Sequence, residues 1–320
     1  MKLLWIAAWL AASAVHAQTR WTLATGYGEN SFHTTNIVRF ASDVERLTGG
    51  ALKVAVHPNN ALVKLADIPQ AVQDGRIQAG ESIMTGMAKA FPIAGADAIP
   101  FVVGSYADAK RLWVLQRPLI ERHFAQRGLK ALYAVPWPPQ GLYTRKPVAS
   151  ASDFKGTRMR TYNATTVRIA GLLGAIPVDV PMVEVNQALG SGRIDNMITS
   201  AVTGVENEAW RHIGYFHEIN AWFPKNIVFV NRRAFDALSP LQQQSVLQAS
   251  ADAEARGWAA SEAASKSSLR ELQARGMKVE RAPPEFEAAL KRMGEKFSRE
   301  WIRDVGHEAN QLFVPYYFQR

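Results

Sequence analysis

QAVQDGRIQ, residues 70–78, recurs in altered form as QALGSGRID at residues 187–195. Each copy follows a stretch of alternating apolar and polar residues that is typical of a β-strand, Ala51–Val56 and Ala175–Val180. The pair predicts two lobes of related build, although helix–glycine–strand junctions favour similar residues and a chance likeness is the alternative. Two α/β lobes that face each other leave a cleft at their strand ends, and small ligands bind in such clefts.

The first part of the chain alternates predicted strands and helices. Trp21–Thr25 alternates as a strand does, and the polar loop Gly26–Ser31 separates it from a helical stretch at about Phe32–Leu47. A second strand at Leu52–Val56 and a helix around Ile68–Gln73 continue the pattern. This alternation predicts a mostly parallel α/β sheet.

The last third of the chain is helical in pattern. Ser239–Arg275 begins with an N-cap serine and a proline at the first helical position, and Gly276 ends it. A helix of about 36 residues extends roughly 54 Å, which exceeds one small lobe. We therefore expect it to cross both lobes or to kink near Gly257. A further helix is predicted at about Pro283–Asp304, and the aromatic segment Phe313–Phe318 is expected to pack in a core or between the lobes.

Charge and cysteine content narrow the classes of function. Lys and Arg number 37 against 28 Asp and Glu, which leaves a formal charge of +9, but the basic residues are scattered singly or in pairs. Such a surface attracts anions without forming the basic run of a nucleic-acid-binding segment. The chain has no cysteine, so disulfides, thiolate metal sites and cysteine nucleophiles are excluded.

Residues 1–17, MKLLWIAAWLAASAVHA, have the pattern of a secretory signal peptide. Lys2 supplies the positive start, an apolar stretch follows, and small side chains precede the expected cleavage after Ala17. A membrane anchor is the alternative, but the apolar stretch is shorter than the roughly 20 residues that a bilayer core requires. We therefore expect an exported, periplasmic protein, for which nucleic acid is not an expected partner.

Motifs for nucleotide, metal and covalent chemistry are weak or absent. Gly26–Ser31 follows a strand as a dinucleotide-binding loop does, but Ser31 stands where the third glycine is required. His212 and His217 are too far apart to share a helix face as metal ligands. No serine-hydrolase elbow, zinc-protease motif or phosphate loop occurs. We predict no cofactor, no metal and no catalytic residue, while paired carboxylates stay open because their pairing is made in space.

The segment with the clearest chemical signal is DFKGTRMRTYNATT, residues 153–166. Its alternating part predicts a strand, and Asn163 is a good N-cap for the helix that follows. Arg160 then lies just before a helix N-terminus, where a guanidinium fork and free backbone amides both favour a carboxylate. The alternative is that Arg158 and Arg160, on one strand face, pair with acidic neighbours. The spacing alone leaves these two interpretations open.

At these residues the chain resembles the solute-binding proteins of tripartite ATP-independent periplasmic (TRAP) transporters, of the dicarboxylate-receptor type. The resemblance covers essentially the whole chain after residue 17. It rests on four segments that occur in order at the family's spacing: Asp153–Arg160, Leu173–Val178, Glu184–Leu189 and Gly192–Asp195. Shorter supporting segments are Thr48–Gly50, Asp74–Ile77 and Ile99–Phe101.

The resemblance implies two α/β lobes with mixed sheets, a long helix that spans them and a central cleft that closes around an organic acid. The acid is then passed to a membrane permease, and the receptor is expected to be a monomer. The lobe bounds expected from the resemblance are approximate: residues 18–138 with 225–258 for lobe I, and 139–224 with 259–320 for lobe II.

The resemblance also implies roles for individual residues. Arg160 falls on the family arginine that forms a salt bridge with the substrate carboxylate. Thr199 holds the place of an asparagine that contacts ligand in some members. A second arginine found in some sialic-acid-binding members is absent, and Gln140–Tyr143 stand in that region. These departures leave the identity of the acid open.

Other cleft-lining residues are predicted from their placement in loops after strands or near crossovers between lobes, with packing in a core as the alternative for each. The aromatic ones would supply apolar walls and the polar ones would hold ligand oxygens. They are Tyr27, Asn30, Phe32, His33, Ser82, Ile83, Met84, Trp137, Gln140, Asn163, Met182, Trp222 and Asn226.

Two further uses of the same cleft remain open from the sequence. A periplasmic enzyme that acts on a carboxylate would need a general base beside the carboxylate site, and no residue is an evident candidate. A ligand sensor would bind the same acid but signal to a partner protein in place of a permease.

Overall fold

The computed structural model describes residues 18–318, so the predicted signal peptide, residues 1–17, lies outside the described residues. Within them no helix combines the length and the apolar character that crossing a bilayer requires. These residues form eleven strands: β1 (Thr19–Ala24), β2 (Leu52–His57), β3 (Ala79–Ile83), β4 (Leu129–Pro136), β5 (Gln140–Thr144), β6 (Arg158–Thr161), β7 (Ile176–Asp179), β8 (Asn196–Ser200), β9 (Tyr215–His217), β10 (Lys225–Asn231) and β11 (Lys278–Glu280).

Ten α-helices connect and cover these strands. The predicted first helix is confirmed with its expected bounds, and the last two helices carry the C-terminal aromatic residues. The helices are α1 (Phe32–Leu47), α2 (Ile68–Gln73), α3 (Tyr106–Ala125), α4 (Ala164–Leu172), α5 (Val185–Gly190), α6 (Ala201–Glu206), α7 (Arg232–Asp236), α8 (Pro240–Ala274), α9 (Pro284–Val305) and α10 (His307–Phe318).

The strands form two sheets, in the orders β2-β1-β3-β10-β4 and β11-β9-β5-β8-β6-β7. Both sheets are mixed: β10 runs against both of its neighbours in the first sheet and β5 does so in the second, while the other strand pairs are parallel. Each antiparallel strand is the one that enters its sheet directly from the other lobe. The two-lobed α/β fold with mixed sheets is therefore confirmed.

The repeated segments mark equivalent places in the two lobes. In lobe I, β1, β2 and β3 are joined by α1 and α2, and β1 pairs in parallel with both other strands. In lobe II, β6, β7 and β8 are joined by α4 and α5 with the same pairing. Gly75 and Gly192 end the equivalent helices with φ of 75° and 70°, a left-handed conformation that favours glycine. The two lobes thus share one topology, as the repeat predicted.

Four segments cross between the lobes, and one of them is the C-terminal helix α9, which has residues in cores of both lobes. Residues 137–139 connect β4 to β5, residues 218–224 connect β9 to β10, and α8 passes from one lobe to the other. The two connecting segments are hydrogen-bonded to each other: Trp137 N donates to Pro224 O at 2.7 Å, and Gln140 N donates to Trp222 O at 3.0 Å. This paired crossover is a natural place for a hinge, because two connections between the sheets run side by side there.

The long helix α8 is continuous over 35 residues, about 52 Å, and packs on both lobes. Ser239 forms the predicted cap, since its Oγ accepts from Gln242 N at 3.3 Å. No break occurs at Gly257, where the backbone instead comes so close to Val135 and Asn36 that a β-carbon would overlap them. Of the two sequence-based alternatives, crossing both lobes is the one that the structure shows.

Replacing Gly257 by alanine is expected to destabilise the protein, which is the opposite of the usual effect inside a helix. Alanine normally stabilises a helix interior by about 1 kcal/mol relative to glycine. In Gly257→Ala the added methyl group meets Val135 and Asn36, so we expect a net loss of about 1 to 3 kcal/mol in the free energy of unfolding. Gly171→Ala is the matched control, because Gly171 is exposed in α4 with nothing within 4 Å of the new β-carbon. Urea unfolding should show opposite signs for the two variants; equal signs would contradict the close-packing argument.

The C-terminal helices return to lobe I. Phe286 and Leu290 of α9 are buried in a lobe II core, whereas Trp301, near the end of the same helix, packs on the lobe I core. The next helix, α10, packs on α3, and Phe313 is buried there. The expected lobe bounds remain a proposal, and this packing argues for moving residues 307–318 from lobe II to lobe I.

Candidate ligand-binding site

Strand β6 places two arginines on one face of the lobe II sheet with different surroundings. Arg158 is exposed and forms a bidentate pair with Asp195, with Nε–Oδ2 and Nη2–Oδ1 distances of 2.9 and 2.8 Å. Arg160 is 3% exposed, and its Nε donates to the backbone oxygen of Val180 at 2.9 Å. No carboxylate between residues 18 and 318 lies within 4 Å of its guanidinium. The ion-pair alternative therefore holds for Arg158 and not for Arg160.

The Arg160 guanidinium is held by an aromatic side chain. It lies 4.9 Å from the centre of the Tyr162 ring, and the Tyr162 hydroxyl donates to Gln140 Oε1 at 3.1 Å. Burial lowers the pKa of Arg160 to about 10, and Tyr162, Asp179 and Tyr27 partly offset this. The group is still a cation at neutral pH. A buried cation without a partner is costly, so this position is suited to bind an anion.

Asn163 begins helix α4 and also reaches the other lobe. Its Oδ1 accepts from Thr166 N at 2.9 Å, which is the predicted N-cap. Its Nδ2 lies 3.3 Å from Thr85 Oγ1 of lobe I and donates to it. The N-terminus of α4 therefore lies beside Arg160 at the point where the two lobes meet.

Lobe I faces this point with an aromatic wall formed by Tyr27, Phe32, His33 and Trp137. Ring centres are 5.1 Å apart for Tyr27 and Trp137, 4.3 Å for His33 and Trp137, and 4.1 Å for Phe32 and His33. Val202 of lobe II packs in the same cluster, as does Met182 of that lobe. The structure is thus a closed arrangement in which side chains of lobe II pack against the wall of lobe I.

A buried hydrogen-bond network lies behind this wall. Tyr27 Oη and Trp137 Nε1 both donate to Asn226 Oδ1, at 3.2 and 2.9 Å. Asn226 Nδ2 donates to Glu81 Oε1 at 2.9 Å, and Thr25 Oγ1 donates to Glu81 Oε2 at 2.5 Å. The polar groups of the wall are therefore held in fixed orientations before any ligand arrives.

The structure brings most of the predicted residues to one place, but Met84 and Asn30 lie elsewhere and Trp222 lies behind Tyr162. Met84 is fully buried in the hydrophobic core of lobe I, and Trp222 is fully buried in a core of lobe II, where it lies next to Tyr162. Asn30 is exposed in the loop before α1. Ser82 is buried on β3 beside β10, and Thr199 is buried on β8 beside β5. The residues at the meeting point of the lobes are Tyr27, Phe32, His33, Ile83, Trp137, Gln140, Arg160, Asn163, Met182 and Asn226.

Sequence reasoning missed Tyr162, Glu81 and Thr85. Tyr162 carried a usable signal, because it lies directly between the strand that holds Arg160 and the N-cap Asn163. Glu81 carried one too, since a carboxylate inside the buried strand β3 is unusual. Thr85 carried none. Among the described residues no three His, Cys, Asp or Glu side chains converge as metal ligands.

A titratable group lies where the two lobes meet at the start of α1. Glu206, the last residue of α6, faces the Ser31 hydroxyl that precedes α1. Part of the side chain is exposed to solvent. Desolvation of the carboxyl group by the surrounding protein nevertheless raises the pKa of Glu206 to about 7, and the interaction with the Ser31 hydroxyl offsets this only in part. Deprotonation of Glu206 is therefore unfavourable in the closed structure.

We expect this carboxyl group to make stability pH-dependent. Because the pKa of Glu206 is higher in the folded state than in the unfolded state, the contribution of this group to the free energy of unfolding falls as pH rises from about 4.5 to about 7. Glu206→Gln should raise the melting temperature by about 1 to 3 °C at pH 8 and have little effect at pH 4.5. Glu218→Gln, at an exposed carboxylate of the same lobe, is the control. A difference at Glu206 that does not change with pH would contradict the assignment.

These features define a class of protein: a two-lobed α/β receptor that encloses a small anionic ligand at its hinge. The family description "Bacterial extracellular solute-binding protein, family 7" (DctP) matches residues 23–304. The chain therefore belongs to this family of TRAP transporter receptors, and the resemblance found in the sequence is confirmed.

Known relatives agree in fold and length. An extracytoplasmic solute receptor of Bordetella pertussis that binds pyroglutamic acid is 37% identical, covers 93% of this chain and 99% of its own, and superimposes with a TM-score of 0.92. A marine metagenome TRAP protein in complex with co-purified pyroglutamate is 34% identical, with 94% and 99% covered and a TM-score of 0.91. A solute-binding protein of Roseobacter denitrificans is 27% identical over 257 residues, 77% of this chain and 76% of that protein.

Proposed function

We propose that this chain is a periplasmic receptor that binds a small organic acid through Arg160 and delivers it unchanged to a TRAP permease. The observation that carries the proposal is Arg160 itself, a buried guanidinium with no carboxylate partner among the described residues, at the meeting point of the two lobes. A ligand carboxylate would supply the missing charge, and the bidentate geometry would orient it. The N-terminus of α4 favours the same charge.

Pyroglutamate is the first candidate for the acid. It is the ligand of two of the solved relatives reported above, which are 37% and 34% identical to this chain. The site also suits it chemically, because one carboxylate would pair with Arg160 while a small flat ring would lie against Tyr27 and Trp137. The amide oxygen of Gln140 and the Tyr162 hydroxyl lie nearby and favour a polar ring substituent.

Binding is proposed to act through closure at the paired crossover. Contacts that span the lobes, such as Asn163 with Thr85, exist in the closed form. A ligand that touches Arg160 on one lobe and Trp137 on the other stabilises that form and shifts the population toward it. The permease would then recognise the closed receptor. Export with cleavage after Ala17 and a monomeric state are part of the same proposal.

A thermal-shift screen of the chain from Gln18, unfolded and refolded to remove bound ligand, tests the proposal. Pyroglutamate at about a hundred times its Kd should stabilise the fold by about 2.7 kcal/mol, a shift of a few degrees. The control is 2-pyrrolidinone, which is the same ring without the carboxylate and should give no shift. Failure of every mono- and dicarboxylate to shift the transition would contradict the receptor role.

Chemical recovery separates the receptor from an enzyme. After prolonged incubation with the protein, the bound acid should be recovered unchanged by mass spectrometry. Conversion of the acid in step with protein concentration would support the enzyme alternative. Uptake of the acid by cells with and without this gene would distinguish delivery to a permease from signalling.

A further inference from the structure

Glu81 is a carboxylate in the interior of lobe I. It lies in the middle of strand β3, whose neighbouring residues are buried, and it is itself 1% exposed. Among the described residues no lysine or arginine lies within 4 Å of it, and the basic group nearest to it is His33, whose Nδ1 is 3.3 Å from Oε1. Burying a carboxylate costs free energy unless it is hydrogen-bonded, so a buried glutamate is expected to have a specific structural or functional role.

Both oxygens of Glu81 accept hydrogen bonds. Asn226 Nδ2 donates to Oε1, and Thr25 Oγ1 donates to Oε2. Two donors, one at each oxygen, match the acceptor-only character of a carboxylate. The interior of lobe I therefore holds an acidic side chain directly behind the aromatic wall.

This carboxylate sets the orientation of the Asn226 amide. With Nδ2 held by Glu81, Oδ1 is turned toward Tyr27 Oη and Trp137 Nε1, which both donate to it. A flipped amide would set donors against donors at Tyr27 and Trp137, and an oxygen against Glu81. Glu81 thus positions the two aromatic side chains that face Arg160 across the cleft.

We propose that Glu81 is the specificity-determining residue of lobe I and restricts the receptor to acids with a single carboxylate. The inference rests on the proposed function and deepens it. Arg160 neutralises one carboxylate from lobe II, while a second carboxylate directed at lobe I would meet the charge of Glu81 in a site that excludes water. Like charges repel strongly in such surroundings, and the one basic side chain among the four wall residues, His33, already lies against Glu81 itself, with Nδ1 3.3 Å from Oε1.

The test compares two five-carbon acids, pyroglutamate with one carboxylate and glutarate with two, by titration calorimetry. The wild-type protein should bind pyroglutamate at least a hundredfold more tightly. In Glu81→Gln, which keeps the size of the side chain and an oxygen for Asn226, the ratio of affinities should fall at least tenfold, because glutarate binding improves. A role in folding alone would weaken both acids alike and leave the ratio unchanged.

Glu29→Gln is the matched control, since it removes one negative charge from an exposed position in the loop between β1 and α1. Its ratio should equal that of the wild type. An unchanged ratio in Glu81→Gln, or wild-type binding of glutarate as tight as that of pyroglutamate, would overturn the inference. The second of these outcomes overturns the inference even if Glu81→Gln does not fold. If the wild-type protein binds neither acid, this inference fails, whereas the proposed function fails only if no mono- or dicarboxylate binds.

Discussion

Arg160→Ala should weaken the binding of pyroglutamate by about 30- to 4,000-fold, which corresponds to about 2 to 5 kcal/mol. The expectation follows from burial: the ligand carboxylate leaves water on closure, and only the Arg160 guanidinium and the start of α4 remain to compensate it. Titration calorimetry of the ligand-free protein measures the loss directly.

Arg158→Ala is the control for this experiment. The two arginines lie two residues apart on β6 and have the same charge, but Arg158 is exposed and already paired with Asp195. Its replacement should leave affinity within about threefold of the wild type, since exposed pairs contribute little. Arg160→Lys should fall between the two, because lysine keeps the charge but not the planar fork. An affinity of Arg160→Ala within about threefold of the wild type would show that the carboxylate is bound elsewhere.

Lys225→Met should lower the free energy of unfolding by about 3 to 5 kcal/mol. Lys225 is the first residue of β10, directly after the second crossover, and its Nζ lies 3.3 Å from Asp97 Oδ2 with both side chains 0% exposed. The same oxygen accepts from Lys225 N at 2.7 Å. Methionine has a similar shape but leaves Asp97 as a buried charge without a counterion. Urea unfolding at neutral pH measures the effect.

Burial raises the pKa of Asp97 even with its partner in place, so an unpaired Asp97 should protonate more readily. The loss in Lys225→Met should therefore shrink as the pH is lowered. Adding Asp97→Asn removes the charge while its amide oxygen still accepts from the backbone N–H of residue 225. The double variant should recover at least half of the loss. A double variant that is less stable than Lys225→Met would rule out the unpaired charge as the cause.

Signals that act within a few residues of the sequence predicted the bounds of helices α1 and α8. The bounds of α1 follow from its helical period and the polar loop before it, and those of α8 from the Ser239 cap, Pro240 and the terminal glycine. These features act within a few residues along the chain, so a sequence contains them in full. The shared topology of the lobes was also visible, because the repeat preserves the helix–glycine–strand junction that each lobe requires.

Arg160 could be proposed from the sequence because its signal is local as well: a strand that ends at a helix N-cap. The sequence could not show whether Arg160 was free to bind an anion, since Arg158 and Arg160 share one strand face. Only the folded sheet places Asp195 beside Arg158 alone. For Met84 and Trp222 the local pattern suggested a place in the cleft that the fold does not give them. Both stand in loops or crossovers of the kind that line a cleft, yet each side chain points into a core.

The sequence by itself determined the two-lobed α/β class and the lobe-spanning helix, and it made Arg160 a candidate for carboxylate binding, because all three depend on period, caps and short motifs. Only the tertiary structure decided that Tyr27, Glu81, Trp137 and Asn226 form one network. These residues lie far apart along the chain, and β3 and β10 bring Glu81 and Asn226 together through antiparallel pairing. The character of the ligand wall depends on those long-range contacts, which no local pattern encodes.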